Sequence, residues 1–150
     1  QSLMQRVKRM QPVLRIAELE ADKAGRMLSM AQQRLKAEQQ KLAQLGDYQQ
    51  DYRERLQSAG KQGMSVDRLR LFDGFNRQLD SAMTHQKTVI AHFEQEVAAC
   101  HRKWQQLDIR HKSLEKMLGR LQLEAEKAQA RNEQRNHDEY ARRRPGGGWR

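Results

Sequence analysis

A seven-residue alternation of apolar side chains runs on both sides of a single glycine-containing break. A chain patterned this way has few options other than two helices packed face to face. With seam positions written a and d and Leu14 placed at a, the a series is Leu14, Ala21, Leu28, Leu35, Leu42, Gln49 and Leu56. The d series is Ala17, Ala24, Ala31, Glu38, Leu45, Tyr52 and Ala59. Twelve of these fourteen positions are apolar or aromatic against 37% for the whole chain, so the period is a folding signal rather than a consequence of composition. The frame extends upstream through Leu3, Val7 and Met10 and leaves Pro12 at an outward f position, where its missing N–H spoils no seam contact.

The break is Gly60-Lys61-Gln62-Gly63-Met64, with Ser65 and Asp67 placed to cap a new helix. Beyond it the a series is Leu69, Asn76, Met83, Ile90, Val97, Trp104, His111, Leu118 and Ala125. The matching d series is Phe72, Leu79, Gln86, Phe93, Cys100, Leu107, Leu114, Leu121 and Ala128, so only Asn76, Gln86 and His111 interrupt an otherwise apolar seam. The expected organisation is helix 1 over 1–59, a turn over 60–65, helix 2 over 66–141 and a disordered basic tail over 142–150. The fold class is all-α, a long two-helix antiparallel coiled-coil hairpin.

A turn this short sets the register. Gln49 then faces Asn76 and Glu38 faces Gln86, so both polar interruptions of helix 1 meet polar interruptions of helix 2. A slip of one heptad would set Glu38 against Leu79 or Phe93, leaving a carboxylate unpaired at a cost of roughly several kcal/mol. Size matching agrees, with Ala31 opposite Phe93, Ala21 opposite Trp104 and Ala17 opposite Leu107. Further out, Met10 meets Leu114, Val7 meets Leu118 and Leu3 meets Leu121, and helix 2 continues about four to six turns past that point.

Charge narrows the partners without choosing one. A net charge of +10 admits nucleic acid, an anionic membrane surface or an acidic protein. Arg6, Lys8, Arg9 and Arg15 precede the first acid, Glu18, and Arg142, Arg143 and Arg144 close the last helical pattern. No run approaches the roughly 18 apolar residues of a membrane span, and no signal peptide is visible, so the chain reads as soluble, with no direct membrane insertion. A single cysteine, Cys100, excludes an intrachain disulfide and fits a reducing cytosol.

Motifs for chemistry are weak. Gly60-Lys61 lacks both the upstream glycine, since Arg55 stands there, and the Ser or Thr that binds magnesium, which is Gln62 here. His85, His92, His101, His111 and His137 show no spacing that binds a metal. Cys100 reads as a small buried hydrophobe opposite Ala24. A two-helix seam offers no pocket for a nucleophile. The chain is expected to be no enzyme, with no cofactor and no metal, and to work by binding and mechanical coupling.

One feature exceeds what a seam requires. Tyr48, Phe75 and Ala82 fall at g, and g positions of antiparallel helices line the same flank. Tyr48 and Phe75 should be neighbours beside Leu45, Tyr52 and Leu79, widening the apolar stripe into a partly exposed aromatic patch, the usual mark of a partner site.

The run Leu45-Gly-Asp-Tyr48-Gln-Gln-Asp-Tyr52-Arg, with Phe75-Asn-Arg-Gln-Leu79-Asp-Ser-Ala82 after the turn, resembles the FliJ family of the bacterial flagellar type III export apparatus. Trp104 in a basic helix and Asp138-Glu139-Tyr140-Ala141-Arg142 add to the likeness. The resemblance implies a stalk like the coiled coil of the F-type ATPase γ subunit, cytoplasmic and peripherally associated with the inner membrane. Its implied partners are the export ATPase hexamer, the cytoplasmic domain of the export gate, and export chaperones. The gate-binding positions it implies are Leu45, Tyr48, Tyr52, Phe75, Leu79 and Ala82. Two others depart from the pattern, the family's Gln falling on Lys41 and its His on Gln86. For the ATPase ring, the stalk reading points to the basic residues Arg6, Lys8, Arg9, Arg131 and Arg135. Two alternatives stay open: the equivalent stalk of a virulence injectisome, and a basic coiled coil that binds nucleic acid. The latter lacks a basic stripe interleaved with stacking aromatics, so no nucleic acid is expected.

Overall fold

A computed structural model describes residues 2–143. Two helices account for almost all of them: α1 (Leu3–Lys61) and α2 (Val66–Arg143). The chain is all-α, and two long helices pack against one another. Helix α1 begins with a capping box, in which Ser2 Oγ accepts from the Gln5 N–H and Gln5 Oε1 accepts from the Ser2 N–H, both at 3.1 Å. The helix continues through Pro12, which is exposed.

The connection is tighter than the run of glycines suggests. Gly60 stays helical, and α1 ends two residues past the expected boundary, at Lys61. Gly63 terminates it, with φ at +90°, a backbone conformation that L side chains rarely adopt. The N–H groups of Gln62 and Gly63 bond back to the carbonyls of Ala59 and Gly60 at 3.2 Å each. Ser65 then caps α2, its Oγ accepting from the Arg68 N–H at 3.2 Å.

Two compact units emerge along the chain. In the first, the start of α1 as far as Lys23 packs on α2 from Gln105 onward. Its core is Val7, Leu118, Leu121 and Ala125, with Leu3, Met10 and Leu14 against them. The second unit is Ala24–Trp104. Ala24, Leu28, Ala31, Leu79 and Ile90 are buried there. Its helices run antiparallel, because α2 partners rise in number as α1 partners fall: Gln49 bonds Asn76 and Glu38 bonds Gln86. Burial follows the heptad frame, since all the assigned seam positions but one are buried or half-buried.

The exception is Leu69, 48% exposed. This residue stands in the first turn of α2, next to the connection. The seam of α2 therefore starts at Phe72. A second departure lies at the far end. Arg142 and Arg143, assigned to the tail, are helical, with Arg143 paired to Glu139 at 2.9 Å and cations favoured in a last helical turn. The remainder of that tail, 144–150, lies outside the described residues.

Candidate functional site

The aromatic cluster of the second unit is built by seam spacing on two helices. Tyr48 and Tyr52 stand on consecutive turns of α1, and Phe72 and Phe75 on consecutive turns of α2. Antiparallel packing brings the four rings together. Tyr52 meets Phe75 with centroids 4.6 Å apart and Phe72 at 5.0 Å, while Tyr48 approaches Phe75 edge-on at 6.1 Å. These separations are those of favourable aromatic pairs, each worth about 0.5–1.5 kcal/mol beyond area burial.

Exposure grades across the cluster. Leu79 is 7% exposed and Tyr48 is 53% exposed. Leu45, Tyr52, Phe75 and Ala82 are half-buried. The six expected gate-binding residues thus share the second unit, with Tyr48 the one most available to a partner. Leu79 is a core side chain of the same unit.

A polar layer closes the seam beside the rings. Gln49 is 7% exposed at an a position, and its Nε2 donates to Asp80 Oδ1 at 2.6 Å and to Asn76 Oδ1 at 3.3 Å. The Asn76 contact follows from the register; the Asp80 contact does not, because Asp80 is an exposed e residue that the heptad frame places on a solvated flank.

The two departures from the family pattern lie in one cluster. Lys41 pairs with Glu38 at 3.1 Å, and Gln86 donates to the same carboxylate at 2.6 Å. The Gln86 hydrogen bond, followed by Lys41, holds the Glu38 carboxyl below its ordinary range. Neither residue is idle in this chain: both are held by one carboxylate at the seam.

Arg6, Lys8, Arg9, Arg131 and Arg135 all belong to the first unit and are all exposed. Every α2 residue from Gln129 to Arg143 is exposed as well.

A shallow groove of about 270 Å³ is lined by Met27, Met30, Ala31, Arg34, Glu96, Ala99 and Cys100. Cys100 is half-buried and has no histidine in that lining. Among the described residues, no group of three His, Cys, Asp or Glu side chains could hold a metal ion, and no helix is long and apolar enough to cross a membrane.

Residues 5–148 match the family described as Flagellar FliJ protein. The chain belongs to the FliJ family. It is similar to the Flagellar FliJ protein of Escherichia coli strain K12, at 27% identity over 128 residues that span 85% of this chain and 87% of that protein. The Flagellar FliJ protein of Salmonella typhi is 26% identical over the same shares of each chain. No solved structure matches. Family membership ties the chain to flagellum biogenesis and to bacterial flagellar protein export. The match includes both segments that carry the resemblance, 45–53 and 75–82.

Proposed function

We propose that this FliJ-family chain is a non-enzymatic stalk of the flagellar export apparatus. The first unit, with its exposed basic residues, enters the export ATPase ring. The aromatic patch of the second unit engages the cytoplasmic domain of the export gate, and export chaperones dock on the same chain. In this reading the protein is cytoplasmic and joins the inner membrane peripherally, through the apparatus.

The observation that carries the reading is the exposed ring of Tyr48 set edge-on to Phe75. Two helices need only their seam to pack, and an aromatic side chain held outside it is an anchor awaiting a pocket. The family match favours the flagellar machine over the injectisome. Membership also weighs against the nucleic-acid reading.

Two measurements test it. Affinity for the purified gate cytoplasmic domain should fall in Tyr48→Ala and Phe75→Ala. A chain truncated after Gln129, beyond the buried Ala125 and half-buried Ala128, should keep gate affinity but stimulate the export ATPase less. Undiminished gate affinity in both alanine variants would refute the patch assignment. Equal loss of both activities on truncation would refute the division of labour between the units.

A further inference from the structure

We propose that Gln49 is a positioning residue: its polar clamp to Asn76 and Asp80 sets the axial and rotational alignment that presents Tyr48 against Phe75. The inference rests on the binding reading above and adds to it a residue that touches no partner.

Three adjacencies carry it. Gln49 follows Tyr48, Asn76 follows Phe75, and Asp80 follows Leu79, so each clamp residue is the chain neighbour of a patch residue. The clamp reaches toward the e flank through Asp80, while Tyr48 and Phe75 stand at g on the other side of the seam. A fixed bond on one flank therefore sets the rotation of both helices, and with it the separation of the rings on the other.

The chemistry of the position points the same way. Leucine at a buried a site would remove more apolar surface from water and need no partner. A polar side chain there is stabilising in only one alignment, which is how a lone seam amide selects register at a cost in stability. This end of the unit needs such a device. Gly74 lies next to Phe75 in an α-helix with nothing within 4 Å of where its β-carbon would be, and Gly60 is equally open. Glycine inside a helix leaves the backbone freer than alanine would.

The test separates alignment from stability using the full chain. Gln49→Leu should melt at or above the wild-type temperature, lose the Tyr48–Phe75 ring contact in nuclear Overhauser spectra, and bind the purified gate cytoplasmic domain about tenfold more weakly, the scale of one lost anchor. Asp80→Ala removes an exposed acceptor and leaves the seam intact, and should also weaken binding. Asp80→Asn keeps an acceptor oxygen and should bind like wild type. Wild-type affinity in Gln49→Leu with the ring contact retained overturns the proposal. Equal losses in Asp80→Ala and Asp80→Asn do so too, because the effect would then follow charge rather than the bond. Should Tyr48→Ala and Phe75→Ala both bind like wild type, the patch reading itself fails, while the ring contact in Gln49→Leu still reports on alignment.

Discussion

Gln86 reaches from α2 to Glu38 on α1 and donates through Nε2 twice, to the carboxylate at 2.6 Å and to the main-chain carbonyl at 2.9 Å. One amide thus binds both the side chain and the backbone of a single residue, which ties the helices axially and not merely face to face. Glu38 is the only carboxylate assigned to the seam, and it has no other residue of α2 bonded to it among the described residues.

This arrangement sets a pH dependence. The Gln86 hydrogen bond, then Lys41, lowers the Glu38 carboxyl below its ordinary value of 4.5 in the folded chain, whereas the unfolded chain keeps the ordinary value. Protons therefore bind the unfolded state more readily, so the stabilisation is present above roughly pH 4.5 and is lost as pH falls through the folded value. Melting temperatures measured from about pH 3 to 7 should fall less steeply at the acid end for Glu38→Gln than for wild type. Parallel curves would show that Glu38 contributes nothing to the acid limb.

Register is open to a direct chemical check. Ala31 lies one heptad before Glu38 and Phe93 one heptad after Gln86, so the bonded pair and this pair belong to the same alignment. Cysteines at 31 and 93, in a Cys100→Ser background, should form a disulfide on mild oxidation, since the bond accepts Cα separations of roughly 4.4–6.8 Å. Failure to form, with retained helicity, would mean that the seam is shifted.

Two glycines on the same pair of helices should respond to alanine in different ways. Gly74 meets nothing within 4 Å, so Gly74→Ala should stabilise by roughly 0.5–1 kcal/mol through helix propensity alone. At Gly25 an added β-carbon would sit 3.3 Å from Trp104 Cδ1 and 3.4 Å from its Nε1, against a rigid indole. Gly25→Ala should therefore lose most or all of that gain. Urea unfolding followed by circular dichroism reads both, and equal stabilisation would mean that the indole is not seated on Gly25.

The patch residues should divide into anchors and supports. Tyr48→Ala should leave the melting temperature nearly unchanged and weaken gate binding by about 1–4 kcal/mol. Leu79→Ala removes a buried seam side chain and should cost stability as well, on the order of 2–4 kcal/mol at full burial and less in a two-helix unit. If Tyr48→Ala melts far below wild type yet binds normally when cooled, the ring is scaffold.

Periodicity made the two helices, their seam and the pairing of Gln49 with Asn76 and Glu38 with Gln86 readable in advance. A repeat of seven is a property of the chain alone, and a short turn leaves one register in which the polar residues meet. The neighbourhood of Tyr48 and Phe75 followed from the same frame. The Ser2 and Gln5 capping box is also written in the chain, as a Ser with a Gln three residues on.

Other features depended on how the helices lie against each other. Heptad letters assign a residue to a flank without fixing how far its side chain reaches, so they could not show Gln49 extending to Asp80 or Trp104 resting on Gly25. They put Leu69 in the seam, whereas in the structure this first-turn residue of α2 is exposed. The end of α1 was set by backbone geometry at Gly63 rather than by the first glycine of the run, because only there does the chain turn to positive φ. Sequence by itself determined which faces of the two helices meet, since burial of an apolar stripe is a one-dimensional requirement. Tertiary structure decided which polar atoms pair across the seam and how much of Tyr48 stays exposed, because those depend on distances and rotations that no period encodes.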